Sequence, residues 1–339
     1  RQARHLTVFQ RTPNFSIPAW NGPMDAATRA DMKRNYRQLR AKSRASYAGD
    51  YADEYHAAIL ALTPPEREAL FEKCWREGGF NYQYAFSDLM DNAEANALAA
   101  DFVHRKIKSI VRDPKTAEML CPREHPLGAK RLCVDTDYYE TYNRGNVALV
   151  DIKSDPIVTM TADGLRTRSS SYVFDTLVLA TGFDAMTGAL MAIDIRGRDG
   201  VSLRDTWKDG AMAYLGLAVA GFPNLFMITG PGSPSVLANV LLAIEQHVEW
   251  VSGLLAHARQ HGIRVIEADA AAERKWAEEV TAAADRTLYV KANSWYLGAN
   301  VPGKPRVFMP YVEGFNIYSR ICDDIARDGY RGFRLARAA

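Results

Sequence analysis

The sequence predicts an α/β fold that is interrupted by a large helical insertion. Three observations indicate this fold class. Residues 5–10 alternate in hydrophobicity, as a short β-strand does. The run LVLA at 177–180 is uninterrupted and apolar, which is typical of a strand covered on both faces. The apolar run LFMIT at 225–229 leads through a glycine-rich turn into a predicted helix that ends at Gly262.

The first predicted strand delivers two polar residues to its carboxyl end. It lies in the stretch HLTVFQRTPNF, where Leu6 and Val8 set the alternation and Thr12-Pro13 forces an extended exit. Ligands of open α/β sheets bind at the carboxyl ends of strands, and an arginine there accommodates the 2′-phosphate of NADP. Arg11 with Thr12 therefore suits a 2′-phosphate, and a solvated loop charge is the alternative.

Residues 24 to about 121 are helix-rich and charged. A capping box at 63–66, with prolines in the first turn, begins one predicted helix, and Gly78 ends it. A second box, at 91–94, begins another amphipathic helix. Because this segment contains no strand candidate, we interpret it as a helical insertion into the α/β framework.

From about residue 127 the pattern changes to short predicted strands separated by turns. Two adjacent cations, Lys130 and Arg131, lie at the start of the first of these strands. Neighbouring residues on a strand point to opposite faces, so one cation could hold a cofactor phosphate while the other faces a reaction centre. A solvated pair is the alternative. The predicted strands are RLCVD, NVALVDI, IVTMT and YVFDTLVLATGF.

Two glycine-containing motifs resemble phosphate loops without completing one. The segment 230–235, GPGSPS, lacks the third glycine of a dinucleotide fingerprint, but the helix N-terminus at 235–240 could stabilise a phosphate or the edge of a reduced flavin. An ordinary capped helix is the alternative. The segment 298–304 fits GxxxxGK, yet Pro305 replaces the Ser or Thr of a P-loop, which argues against nucleotide hydrolysis. The neighbouring Trp295 could lie over a ligand on a mobile aromatic loop or simply pack there.

The composition excludes several classes of function. The 339 residues carry a net charge of +2, which favours neither nucleic acid nor an anionic membrane as partner. Four scattered cysteines without a CxxC pair fit reduced thiols in a cytoplasmic protein, and no apolar run is long enough to span a membrane. No metal-ligand motif and no G-x-S-x-G nucleophile elbow is present. A cofactor is therefore expected to carry the chemistry.

These segments together resemble type I Baeyer–Villiger monooxygenases, most closely the phenylacetone and cyclohexanone monooxygenase group. The resemblance implies a two-dinucleotide-binding-domain flavoprotein, with Rossmann-like FAD and NADP domains and a helical insertion. Residues 1–17 and 127–180 would then be the remainder of the NADP-binding domain, 18–126 the insertion, and 181–339 the C-terminal part of the FAD-binding domain. The segments are VFQRTPNFSIPAWNGP, GAKRLCVDTDYYE, LVLATGFDAMTGAL, FPNLFMITGPGSPSVLANVLLAIEQHVEW and SWYLGANVPGKPRVFMPYVEGF.

The resemblance also implies roles for the cationic residues. Arg11 and Thr12 match positions that bind the 2′-phosphate of NADP, and Lys130 matches another NADP contact. Arg131 matches the active-site arginine that stabilises an anionic flavin C4a-peroxide and helps to retain the nicotinamide. A permanently charged guanidinium can stabilise such an anion without giving a proton to it.

Further residues match positions around the flavin and the substrate. Trp295 matches a loop tryptophan that reaches the nicotinamide ribose, and Val240 occupies a flavin-contacting position. The loop that borders the substrate pocket is matched by Ser235, Val236 and Leu237. With these parts the resemblance implies that NADPH reduces FAD, that O2 forms the peroxyflavin anion, and that this anion converts a ketone to an ester or lactone.

The N-terminal glycine motifs for FAD and NADP that the resemblance implies are not in this sequence. We therefore expect the chain to be the C-terminal portion of such an enzyme and to be inactive when isolated. Two rival interpretations stay open on the sequence. One is a flavin-containing N- or S-hydroxylating monooxygenase, against which the insertion and the GAKRLCVDTDYYE run argue. The other is a truncated, non-catalytic remnant that acts as a binding protein.

Overall fold

A computed structural model describes residues 2–51 and 57–337 of the chain. The strands are β1 Leu6–Gln10, β2 Ser16–Pro18, β3 Cys133–Asp135, β4 Val147–Asp151, β5 Ile157–Met160, β6 Gly164–Thr167, β7 Ser171–Val173, β8 Ile263–Ala268 and β9 Phe333–Arg337. The helices are α1 Ala26–Arg34, α2 Tyr36–Ala45, α3 Pro64–Glu77, α4 Asn81–Tyr84, α5 Ala93–Ile110, α6 Pro114–Leu120, α7 Tyr138–Thr141, α8 Gly188–Ala192, α9 Leu203–Thr206, α10 Val240–His261, α11 Ala270–Asp285 and α12 Phe315–Arg327.

The chain divides into two compact units. Unit 1 is formed by residues 1–22 and 54–182, and unit 2 by residues 23–53 and 183–339. The sequence predicts one helical insertion over residues 18–126, whereas the packing places α1 and α2 in unit 2. There Arg40 pairs with Glu245, and Arg44 lies 2.7 Å from Glu249. These ion pairs attach α2 to α10, a partnership between distant segments that local sequence patterns do not reveal.

The described residues of unit 1 form two parallel strand pairs and one antiparallel sheet. Strand β1 pairs in parallel with β4, and β2 pairs in parallel with β3. Strands β5, β6 and β7 form the antiparallel sheet in sequential order. The strand predicted at 5–10 is confirmed as Leu6–Gln10. The mixture of parallel strands and helices confirms the α/β class.

The helices of unit 1 begin largely where their capping residues predict. In α3, Thr63 and Glu66 form both hydrogen bonds of the capping box, and the helix ends at Gly78 with a φ of 71°. In α5, however, the cap is Asn92 rather than Asp91. The Asn92 side chain accepts hydrogen bonds from the backbone N–H groups of Glu94 and Ala95, so the prediction of a box at 91–94 is wrong in register.

Two predicted strands are not strands in the structure. Residues 177–180 and 225–229 are assigned to no sheet among the described residues. In the first run Val178 is 79% exposed and Leu179 is 75% exposed, which contradicts a strand covered on both faces. An apolar run favours an extended backbone, but a strand also needs a neighbour with which to exchange hydrogen bonds. Within the residues that the structure describes, neither run forms a ladder with another strand, although the Met227 N–H donates to the Leu217 carbonyl at 2.8 Å.

Unit 2 is built around the long helix α10. The helix packs against α12 and β8, and β8 pairs with β9 in an antiparallel sheet. Large aromatic side chains such as Trp250, Trp276 and Tyr318 form its core. The predicted end of α10 is confirmed, because Gly262 forms the cap in the left-handed conformation, with a φ of 66°. No helix in the described part of the chain is long and apolar enough to cross a lipid bilayer.

A buried histidine connects α10 to two loops of unit 2. The N–H of Thr229 donates to Nδ1 of His247 at 2.9 Å, and Nε2 of His247 lies 2.7 Å from the Tyr318 hydroxyl. That hydroxyl in turn donates to the Leu215 carbonyl at 2.6 Å. Nδ1 accepts and Nε2 donates, so this imidazole is neutral. Burial lowers the pKa of His247 from 6.5 to about 4 because it penalises the charged form.

We expect this histidine to make stability fall in acid. In the unfolded chain this histidine binds a proton below pH 6.5, whereas in the folded chain it binds the proton only below about pH 4. Its contribution is complete above pH 6.5 and is lost as the pH falls towards 4, a change of roughly 3 kcal/mol. Urea unfolding across this range measures it. The variant His247→Gln should flatten the pH dependence, whereas His5→Gln, at an exposed histidine, should not. Equal pH dependence in all three proteins would contradict the assignment.

Candidate functional site

The pairing of β2 with β3 brings the two cationic segments of unit 1 together. Residues 11–14 lie just before β2 and residues 130–132 just before β3. Nδ2 of Asn14 donates to the Arg131 carbonyl at 2.8 Å, and the N–H of Cys133 donates to the Phe15 carbonyl at 3.1 Å. Two segments more than a hundred residues apart are therefore neighbours, as a shared phosphate site requires.

The local electrostatics favour an anion beside Lys130. Its pKa is lowered first by burial and next by the positive charge of Arg11, while Glu124 opposes the shift. Glu124 is itself paired with Lys153. Arg11 is exposed and Thr12 is half-buried, so both are open to a ligand. A phosphate between Arg11 and Lys130 would relieve their mutual repulsion. The donor set fits the 2′-phosphate of NADP.

Arg131 lies in a different setting from the one predicted. The structure begins β3 at Cys133, so Lys130 and Arg131 precede the strand, and the expectation that strand alternation separates them is wrong. The Arg131 guanidinium carbon lies 4.5 Å from the centre of the Phe80 ring. The sequence does not single out Phe80, since nothing adjacent to it in the chain indicates a functional role.

The turn before α10 differs from its prediction. The α-helix begins at Val240, with Asn239 as its cap, and residues Ser235–Leu237 form a separate 3₁₀ turn. The prediction of one helix N-terminus over 235–240 is therefore wrong. The Asn239 side chain accepts from the N–H of Leu242 at 3.4 Å, which occupies part of the donor set that was expected to meet an anion.

The three residues expected to border a substrate differ in exposure. Ser235 and Leu237 are buried, and Val236 is half-buried. Ser235 has a φ of 42°, an uncommon value for a residue other than glycine, and its Oγ lies 3.6 Å from Sδ of Met186. Backbone strain of this kind is common at ligand sites. Val240 is 42% exposed at the start of α10, where a ligand can reach it.

The aromatic loop of unit 2 is packed rather than open. Trp295 lies in a 3₁₀ turn with its ring centre 4.6 Å from that of Tyr296, and Tyr296 is buried. Lys304, the last residue of the GxxxxGK match, pairs with Asp184. This partner explains the lysine without a phosphate. Trp295 itself stays half-buried, so part of its ring is available to a ligand.

Comparison with known proteins shows extensive similarity. No protein-family profile matches the chain. The chain is 40% identical over 340 residues to a Baeyer–Villiger monooxygenase of Pseudooceanicola batsensis. The aligned region covers 99% of this chain and 62% of that protein. It is 39% identical over 336 residues to a phenazine N-monooxygenase of Lysobacter antibioticus, covering 98% of the chain and 61% of the relative.

Solved structures show the same relationship. A steroid monooxygenase bound to NADP superposes with a TM-score of 0.94 at 46% identity, covering 99% of this chain and 63% of that one. A monooxygenase called OTEMO, in complex with FAD and NADP, gives 0.94 at 39% identity, covering 98% and 62%. The chain thus spans less than two thirds of the length of the proteins it matches.

Proposed function

Because this chain is a homologue of the Baeyer–Villiger monooxygenases over nearly all of its length, we propose that it is the C-terminal portion of such an enzyme. The whole enzyme would use FAD, NADPH and O2 to convert small-molecule ketones to esters or lactones. The observation that carries the proposal is the placement of Arg11 beside Lys130, next to Arg131. This arrangement supports a site for the 2′-phosphate of NADP adjoining a reaction centre.

The three cations share two tasks in the proposed reaction. Arg11 and Lys130 bind the 2′-phosphate, and the Thr12 hydroxyl donates a hydrogen bond to it. Arg131 faces the reaction centre and stabilises negative charge that develops there, since its guanidinium does not give up a proton. FAD and NADPH, when bound, supply the oxygen activation and the reducing hydride.

Unit 2 supplies the residues proposed for the flavin and the substrate. Val240, exposed at the start of α10, contacts the flavin, and Trp295 contacts the nicotinamide ribose. The loop Ser235–Leu237 borders the ketone, mainly through the half-buried Val236. We further propose that residues 1–17 and 127–180 belong to the NADP-binding domain, 18–126 to the helical insertion and 181–339 to the FAD-binding domain. The change of unit between residues 182 and 183 supports the last of these boundaries.

The cytoplasmic location predicted from the sequence remains a proposal. It is supported by the state of the cysteines, because all four are unpaired thiols and three of them are buried. Burial raises the pKa of the Cys74 thiol to about 11, which keeps it protonated and unreactive.

The direct test compares the isolated chain with the FAD-loaded full-length enzyme. We expect the full-length enzyme to show a bound-flavin absorbance spectrum and to oxidise NADPH faster when a cyclic or phenyl ketone is added, with ester or lactone as product. The isolated chain should show neither. NADPH oxidation that a thioether or a nitrogen heterocycle stimulates and a ketone does not would favour the rival N- or S-oxidation, which the phenazine N-monooxygenase among the relatives performs by name.

A further inference from the structure

We propose that Asn14 and Phe80 are positioning residues that hold Arg131 from two sides. Asn14 fixes the Arg131 backbone, and Phe80 fixes its guanidinium. The inference rests on the proposed function, in which Arg131 faces the reaction centre. Neither supporting residue carries a charge, and neither was found by sequence analysis.

The backbone support comes from the amide of Asn14. Its Nδ2 donates to the Arg131 carbonyl at 2.8 Å and lies 3.4 Å from Sγ of Cys133. These contacts extend the β2–β3 neighbourhood to two residues before the strands. The peptide after Arg131 is therefore held in place, which fixes the point from which the long side chain extends.

A buried histidine contacts the oxygen of that amide. Nε2 of His125 lies 3.2 Å from Oδ1 of Asn14, and the histidine is only 7% exposed. Burial and the charge of Lys130 lower the pKa of His125 to about 4, so its ring is neutral at neutral pH. The Arg131 carbonyl can only accept, so Nδ2 of Asn14 faces it, Oδ1 faces His125, and the proton of the neutral ring lies on Nε2. The opposite orientation would place Oδ1 against the Arg131 carbonyl oxygen, and both atoms are acceptors.

The side-chain support comes from the face of Phe80. The guanidinium carbon of Arg131 lies 4.5 Å from the ring centre, within the distance of a cation–π contact. A planar guanidinium stacks on such a face more readily than an ammonium group does. Phe80 therefore restricts the direction in which the charge of Arg131 points.

The position of Phe80 is fixed by the same strand that follows Asn14. The N–H of Gly79 donates to the Pro18 carbonyl, at the end of β2, at 2.8 Å. At Gly78 an added Cβ would lie 2.3 Å from that carbonyl oxygen, and its φ of 71° also favours glycine. Both supports of Arg131 thus depend on residues 14–18, which follow the proposed phosphate residues Arg11 and Thr12 in the chain. One short segment therefore positions the proposed phosphate site and also supports Arg131.

The test uses three variants of the FAD-loaded full-length enzyme. Phe80→Leu removes the aromatic face, Phe80→Tyr keeps it as the matched control, and Asn14→Leu removes the donor to Arg131 at a similar side-chain size without adding a charge. We expect Phe80→Leu and Asn14→Leu to lower kcat for ester formation about 5- to 30-fold, the range of one partly buried cation–π contact or hydrogen bond. Phe80→Tyr should stay within about twofold of the unchanged enzyme.

Binding of 2′,5′-ADP separates positioning from general damage. We expect its affinity for all three variants to be unchanged, because Arg11, Thr12 and Lys130 remain. Equal kcat in Phe80→Leu and Phe80→Tyr would overturn the role of Phe80, and a loss of kcat that follows a loss of 2′,5′-ADP affinity would overturn positioning in favour of misfolding.

A second readout keeps the proposal testable if the unchanged enzyme makes no ester, an outcome that would contradict the proposed function alone. In the full-length enzyme labelled with ¹⁵N-arginine, the Arg131 Nε–H resonance should carry a ring-current shift from Phe80. That shift should vanish in Phe80→Leu and persist in Phe80→Tyr. If the chemical shift of this resonance is the same in Phe80→Leu as in the unchanged protein, the contact between Arg131 and Phe80 does not exist.

Discussion

Replacing Arg131 with alanine lowers kcat for ester formation by roughly 10²- to 10³-fold. This is the usual cost of removing one preorganised donor from the place where negative charge develops. The loss should appear in kcat more than in KM for the ketone, because the ground-state ketone carries no full charge for the guanidinium to stabilise. Steady-state kinetics of the FAD-loaded enzyme, with product analysis, measure both constants.

The variant Arg131→Lys is the matched control for charge. Lysine keeps the positive charge but lacks the planar group that can stack on Phe80, and its ammonium can give up a proton. We expect activity between those of the unchanged enzyme and Arg131→Ala. Full activity in Arg131→Ala would show that this residue does not act at the reaction centre.

Replacing Arg11 or Lys130 with alanine weakens NADP⁺ binding roughly 10- to 100-fold and leaves NAD⁺ binding nearly unchanged. Each loses a charge-assisted contact of about 1.5–3 kcal/mol that only the 2′-phosphate makes. Because the charge of Arg11 lowers the pKa of Lys130, the two residues are coupled, and their effects should not add in the double variant. Calorimetric titration with both nucleotides measures the affinities.

Arg4 provides a matched control for this prediction. It is an exposed arginine in the same unit, before β1, and Arg4→Ala removes the same charge from a position outside the proposed site. We expect it to leave NADP⁺ affinity within about twofold, since a solvated surface charge is largely screened. If Arg11→Ala weakens NADP⁺ and NAD⁺ equally, the residue does not contact the 2′-phosphate.

Elements with strong local signals were predictable from the sequence. Strand β1, the capping box of α3 and the end of α10 at Gly262 each depend on residues adjacent in the chain. The runs at 177–180 and 225–229 were predicted wrongly, since hydrophobicity indicates an extended run but does not supply the neighbouring strand. The start of α10 was missed because Ser235 and Asn239 are both good capping types, and the structure uses Asn239.

Some residues of the candidate site could be predicted from the sequence, but their proximity in the fold could not. Arg11 and Lys130 stand out because each follows or precedes a strand pattern. Their proximity depends on parallel pairing of β2 with β3, which a single sequence does not specify. Phe80 carries no local signal of function, since an aromatic residue beside a helix is usually part of a core. Its contact with Arg131 exists only in three dimensions.

The fate of the oxygen atom tests the proposed function most directly. The FAD-loaded full-length enzyme would be supplied with NADPH, a cyclic ketone and dioxygen labelled with oxygen-18, and the product would be analysed by mass spectrometry. We predict a lactone that carries one labelled atom as its ring oxygen. An unlabelled product, or label found only in an N-oxide or sulfoxide when a heteroatom substrate is offered, would contradict the proposal.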